Sequence, residues 1–159
     1  MIMKKMLIIG AAVFMVLSML SGCFAKTYTI GKDPKLEEIT SVYAGGGGME
    51  YSSSWTWSVS SGKEGRELYR RYWDEEKSEM TEVTVKISED DYNIILNSLE
   101  GLRYVKYNAP KNVMDGYSET VRIYWKNSPS GSYRVDMESK DMSDLLKAFR
   151  TVWDKHNTQ

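Results

Sequence analysis

The sequence predicts a small α+β domain, an antiparallel sheet of about five or six strands with two amphipathic helices packed on one face. Three observations predict it. Several runs alternate apolar and polar residues with a period of two, as half-buried strands do. Two later segments gather their apolar residues on one helical face and need a sheet to cover them. The connections between strands are short and rich in Gly, Ser, Asn and Pro, which suits antiparallel neighbours.

The elements follow in order. Leu36 to Ala44 reads as a strand broken by Gly45-Gly46-Gly47-Gly48, and Met49 to Ser60 resumes it, with Trp55, Trp57 and Val59 alternating with Thr56 and Ser58. Ser61 to Gly65 turns the chain into a run carrying Leu68, Tyr69, Tyr72 and Trp73. After a charged loop, Met80 to Ile87 is the cleanest strand, with Val83, Val85 and Ile87 on one face and Glu82, Thr84 and Lys86 on the other. Ser88 caps a helix by accepting from the amide three residues on, and Asp91 is placed to reach back as in a capping box. The apolar face of that helix is Tyr92, Ile95, Leu96, Leu99 and Leu102, and Gly101 stops it. Arg103 to Asp115 shows no periodicity. Glu119 to Trp125 and Tyr133 to Met137 then read as a hairpin around Asn127-Ser128-Pro129-Ser130-Gly131. A last helix, capped by Asp141 or Ser139, presents Met142, Leu145, Leu146, Phe149 and Val152 or Trp153.

The beginning of the chain says where the protein lives. Lys4 and Lys5 precede an apolar run, Met6 to Leu20, and Leu20-Ser21-Gly22-Cys23 follows directly. Fifteen residues fall short of the about 20 that a transmembrane helix needs. The order of basic start, short apolar run and small residues is that of a cleaved secretory leader closed by a lipobox. Residues 1–22 are therefore expected to be removed, and Cys23, the single cysteine, to carry a diacylglycerol that anchors the protein to the outer face of the cell membrane. Residues 23–35 read as a lipidated N-terminus and tether able to lift a domain roughly 40 Å if extended. Residues 36–159 read as one α+β domain.

Loss of Lys4 and Lys5 takes the basic residues from 21 to 19 against 22 acidic ones, so the mature chain has a net charge of −3. That balance argues against nucleic acid as a partner. With Cys23 lipidated, the domain folds without a disulfide.

No catalytic set emerges. His156 is the only histidine and lies near the C-terminus, where chains fray. A Ser-His-Asp triad, a Cys-His pair and a histidine-based metal site are therefore not expected, nor is any cofactor. Carboxylate-only glycan hydrolysis is the enzymatic alternative, with Asp74, Glu75, Glu76, Glu79 and Glu82 as its carboxylates in a solvated-looking run. The glycine run is followed by a strand rather than a helix, so it reads as a hairpin or bulge rather than a phosphate loop. Asp90, Asp91 and Asp115 lack the spacing of a calcium loop. Trp55, Trp57, Trp125 and Trp153 read as core. The candidate binding residues are Arg103, Tyr104, Lys106, Tyr107 and Lys111, flat rings and cations in the long aperiodic segment. The competing interpretation of that segment is a partly extended edge strand with solvated bases.

The lipobox, the glycine run ending in Met49 and the Asp115-Gly116-Tyr117 turn together resemble a loose group of small predicted lipoproteins of Firmicutes. The resemblance implies the strand-helix-hairpin-helix order and brings no activity, ligand or catalytic residue with it. The expected function is that of a membrane-anchored, non-enzymatic binding domain whose partner is an envelope glycan, a protein or a small ligand. The alternatives are the carboxylate-based hydrolase and an accessory subunit of a membrane complex.

Overall fold

The computed structural model describes residues 26–48, 51–107, 118–136 and 141–157. Cys23 and Lys111 lie outside the described residues, as do the leader and the Asp115-Gly116-Tyr117 turn.

The fold is α+β, with two sheets instead of one. Five strands, β2 (Ile39–Gly47), β3 (Trp55–Gly62), β4 (Gly65–Asp74), β5 (Glu79–Ile87) and β7 (Ser118–Trp125), form an antiparallel sheet in the order β5-β4-β3-β2-β7. Three shorter strands, β1 (Thr27–Thr29), β6 (Arg103–Lys106) and β8 (Tyr133–Val135), form a second antiparallel sheet in the order β1-β6-β8.

One face of the larger sheet is apolar because the period-two pattern of each strand is in register with its neighbour. Val85, Leu68, Val59, Val42 and Ile123 lie side by side across all five strands. The helices α1 (Glu89–Asn97) and α2 (Ser143–His156), the turn after α1 and the smaller sheet add to the same core. Tyr92, Ile95, Leu96, Leu99, Leu102, Leu145, Phe149, Val152 and Trp153 are all buried. The Trp57 ring stacks on Phe149 at 5.7 Å and meets Trp153 edge-on at 5.6 Å. Trp57, Trp125 and Trp153 are buried and Trp55 packs against the same cluster.

Four expectations are corrected. The stretch read as a tether joins the fold at Thr27, because Tyr28 and Ile30 bury their side chains in the core and β1 pairs with β6. The glycine run does not break its strand. β2 continues through Gly47, and the missing side chains make room for neighbours: a Cβ on Gly46 would sit 2.9 Å from the Trp55 ring, and one on Gly45 2.6 Å from Tyr43 Oη. The late hairpin does not form as a ladder. β7 pairs with β2 while β8 crosses to β6, so the turn chemistry at 127–131 marks a switch between sheets. Arg103 to Lys106 is a strand rather than aperiodic chain, closer to the edge-strand interpretation.

Candidate functional site

β6 and β8 bring most of the sequence-predicted binding residues to one side of the molecule, but not as a single surface. Alternation along β6 buries Tyr104 and leaves Arg103 and Lys106 exposed. Arg103 pairs with Asp136 at 3.1 Å, an ion pair that fastens β6 to the end of β8. Lys106 is exposed.

Tyr104 is buried in the core, and it is also one of the residues that line the cleft described below. Its ring stacks on Tyr133 at 5.7 Å and meets Trp125 edge-on at 6.2 Å. Its hydroxyl accepts the Ile123 amide at 3.2 Å. Trp125 N–H, two residues on, donates to Ser128 Oγ, so two amides near the end of β7 are satisfied by side chains. Burial pushes the Tyr104 phenol above its usual pKa, which keeps it a neutral acceptor.

Tyr107 is half-buried and lines a cleft of about 800 Å³. One wall is β7, with Arg122, Tyr124 and the edge of Ile123. The other is the sheet switch and β8, with Ser128, Pro129, Tyr133 and Arg134. The Arg134 guanidinium lies 4.6 Å from the centre of the Tyr107 ring, and that of Arg122 lies 5.5 Å from Tyr43. Both arginines are exposed, and Tyr124 is 46% exposed. The walls thus offer aromatic faces and two cations that lie over rings, an arrangement that grips planar or anionic groups by stacking and forked hydrogen bonds. Glu119 adds a carboxylate at the rim.

Arg122, Tyr124, Tyr133 and Arg134 were not among the residues singled out from the sequence. Their signal was present in β7, where Arg122 and Tyr124 occupy the outward positions between buried Val121, Ile123 and Trp125. Outward aromatic and arginine residues on a strand are a surface feature that core reasoning passes over.

A second polar cluster joins the two helices. Asp91, 1% exposed, receives Ser88 Oγ–H at 2.7 Å, Lys155 Nζ at 2.8 Å and His156 Nε2 at 2.9 Å. Burial pushes the Asp91 carboxyl up, but the hydrogen bonds from Lys155, His156 and Ser88 outweigh it and hold the group well below the ordinary carboxylate range. The cluster corrects two expectations. His156 sits in the last turn of α2 rather than in a frayed end, and Asp91 turns to these partners rather than back to the Ser88 amide. Serine, aspartate and histidine meet here, yet not as a nucleophilic triad. A triad needs the imidazole between carboxylate and hydroxyl, whereas here the carboxylate stands between the other two. The cluster is a strut between helix ends.

Among the described residues no group of three metal-ligating side chains comes together. No protein-family model, no curated protein and no solved structure matches the chain.

Proposed function

We propose that the chain is a lipoprotein, cleaved before Cys23 and held by a diacylglycerol on that residue at the outer face of the cell membrane. Its folded domain is a binding module for an anionic envelope glycan, not an enzyme. The order Lys4-Lys5, apolar run, Leu20-Ser21-Gly22-Cys23 supports the anchor. None of the described helices is long and apolar enough to cross a membrane.

The observation that carries the binding reading is the lining of the cleft, where Arg122 and Arg134 flank Tyr107, Tyr124 and Tyr133. Sugar rings stack on tyrosine faces, and carboxylate or phosphate substituents pair with guanidinium groups. The mature net charge of −3 is opposed locally by these two cations. The hydrolase reading is weaker because glycosidic cleavage takes two facing carboxyl groups, and Glu119 is the one carboxylate among the described lining residues.

The test uses the full lipidated chain reconstituted in liposomes, with fluorescent oligogalacturonate as the anionic probe and dextran as the neutral one. The uronate chain should bind and the dextran should not. Arg122→Glu and Arg134→Glu should each weaken uronate binding about tenfold, the loss of one charge-assisted contact. Cys23→Ala should leave the protein unlipidated. Equal retention of both glycans, or arginine variants that bind as well as wild type, would reject the cleft as an anion site.

A further inference from the structure

The larger sheet ends on β5, and among the described residues no strand pairs with its outer edge. We propose that this edge is a self-association surface, on which a second copy of the chain adds its own β5 antiparallel to the first, centred on Thr84.

The argument rests on charge and register. Glu82, Thr84 and Lys86 point to the open face of the sheet and are exposed. Within one chain Glu82 lies opposite Arg71, with an ion pair of 3.4 Å, and Lys86 lies opposite Glu67. When two β5 strands pair about a two-fold axis through Thr84, Glu82 of each chain faces Lys86 of the other. The charges then alternate across four strands: Arg71, Glu82, the second copy's Lys86 and its Glu67. Opposite charges directly across a strand pair stabilise it, and like charges oppose it. Centring on Glu82 would set Glu82 against itself, and centring on Lys86 would do the same with lysine. Centring on Val83 would put Glu82 against Thr84 and Lys86 against Met80, leaving neither with an opposite charge across the new seam. Charges on an edge strand ordinarily block pairing. Here they block the neighbouring registers and favour one.

The other face of the strand agrees. Val83, Val85 and Ile87 pack against the core but are only partly buried. In the Thr84-centred register Val83 of one chain lies against Val85 of the other, twice over, which removes apolar surface from water at the place where the core is thinnest. The association is isologous and closes after two copies.

The full chain in detergent supplies the test. Treatment with a water-soluble carbodiimide should give a zero-length amide between Glu82 and Lys86, found by mass spectrometry. Within one chain the two α-carbons lie about 13 Å apart along the strand, so the link is sought in the covalent dimer separated on a denaturing gel, where it joins two chains. In sedimentation velocity, Glu82→Lys and Lys86→Glu should each lower the dimer association constant about tenfold, and the double exchange should restore it. Melting curves check that each variant is folded. Should either single variant misfold, Thr84→Glu, which sets two carboxylates face to face, should abolish the dimer. Absence of the Glu82–Lys86 link in the wild type, or an association unchanged in the folded variants, would overturn the proposal.

Discussion

Asp91 and Lys155 are 64 residues apart in the chain and 2.8 Å apart in space, so the first turn of α1 is tied to the last turn of α2. The geometry suits both helix dipoles, with an acidic residue at one N-terminus and basic residues at the other helix's C-terminus.

The tie predicts a pH dependence. Folding holds the Asp91 carboxyl below its ordinary value of 3.8, so its contribution is fully present above that value and is lost as the pH falls below it. Asp91→Asn should cost about 2 kcal/mol at neutral pH, since hydrogen bonds to a charged group are lost. It should also flatten the fall of melting temperature between pH 5 and pH 2. Thermal unfolding of both proteins across that range checks it. A variant whose acid profile parallels the wild type would show that other carboxylates govern acid unfolding.

Tyr104 should behave as a core residue. Tyr104→Phe keeps the ring and leaves the Ile123 amide without its hydroxyl acceptor, at a cost of about 1–3 kcal/mol. Tyr107→Ala, by contrast, should weaken binding of the uronate probe while shifting the melting temperature little. Denaturant titration and binding isotherms on the same samples separate the two behaviours.

The glycines of β2 should be intolerant for reasons of space. Gly46→Ala places a methyl group 2.9 Å from the Trp55 ring and should destabilise by about 1–3 kcal/mol. Gly62→Ala meets nothing within 4 Å and should be nearly neutral. A chemical-denaturation midpoint for each is enough to compare them.

A chain shortened to begin at Leu36 should be less stable than one that begins at Lys26. It loses β1 together with the buried side chains of Tyr28 and Ile30, worth about 3–6 kcal/mol at about 1.5–3 each. Circular dichroism melts of the two proteins would show it, and equal melting temperatures would return β1 to the status of a tether.

What the sequence revealed and what it hid divide along the range of the interactions. The face of α1 through Tyr92, Ile95 and Leu96 and the alternation of β5 are set by neighbours a few residues away, so periodicity exposed them. Partner choice is not local. Turn residues between β7 and β8 pointed to a hairpin, yet β8 sets Val135 against Tyr104 of β6 instead. The four-residue β6 is too short to show a period, so Tyr104 looked free to meet a ligand. Four glycines looked like a break because the Trp55 ring, which fills the space at Gly46, lies on β3 and is set there only by the ladder. Of the candidate site, Tyr104 and Tyr107 line the cleft, and Arg103 and Lys106 lie exposed on β6. The arginines that define the cleft lay in segments read as structural.

The early start of β1 also sets a leash length. From Cys23 to Thr27 the backbone reaches at most about 14 Å. A lipid on Cys23 would hold the three-stranded sheet within a short step of the headgroups, whose layer is itself about 6 Å thick on each side. The domain would ride on the bilayer like a boat at a short mooring, with little freedom to swing outward. With such an anchor, whatever it meets would have to come down to the membrane surface, and two copies confined to that plane would search for each other in two dimensions.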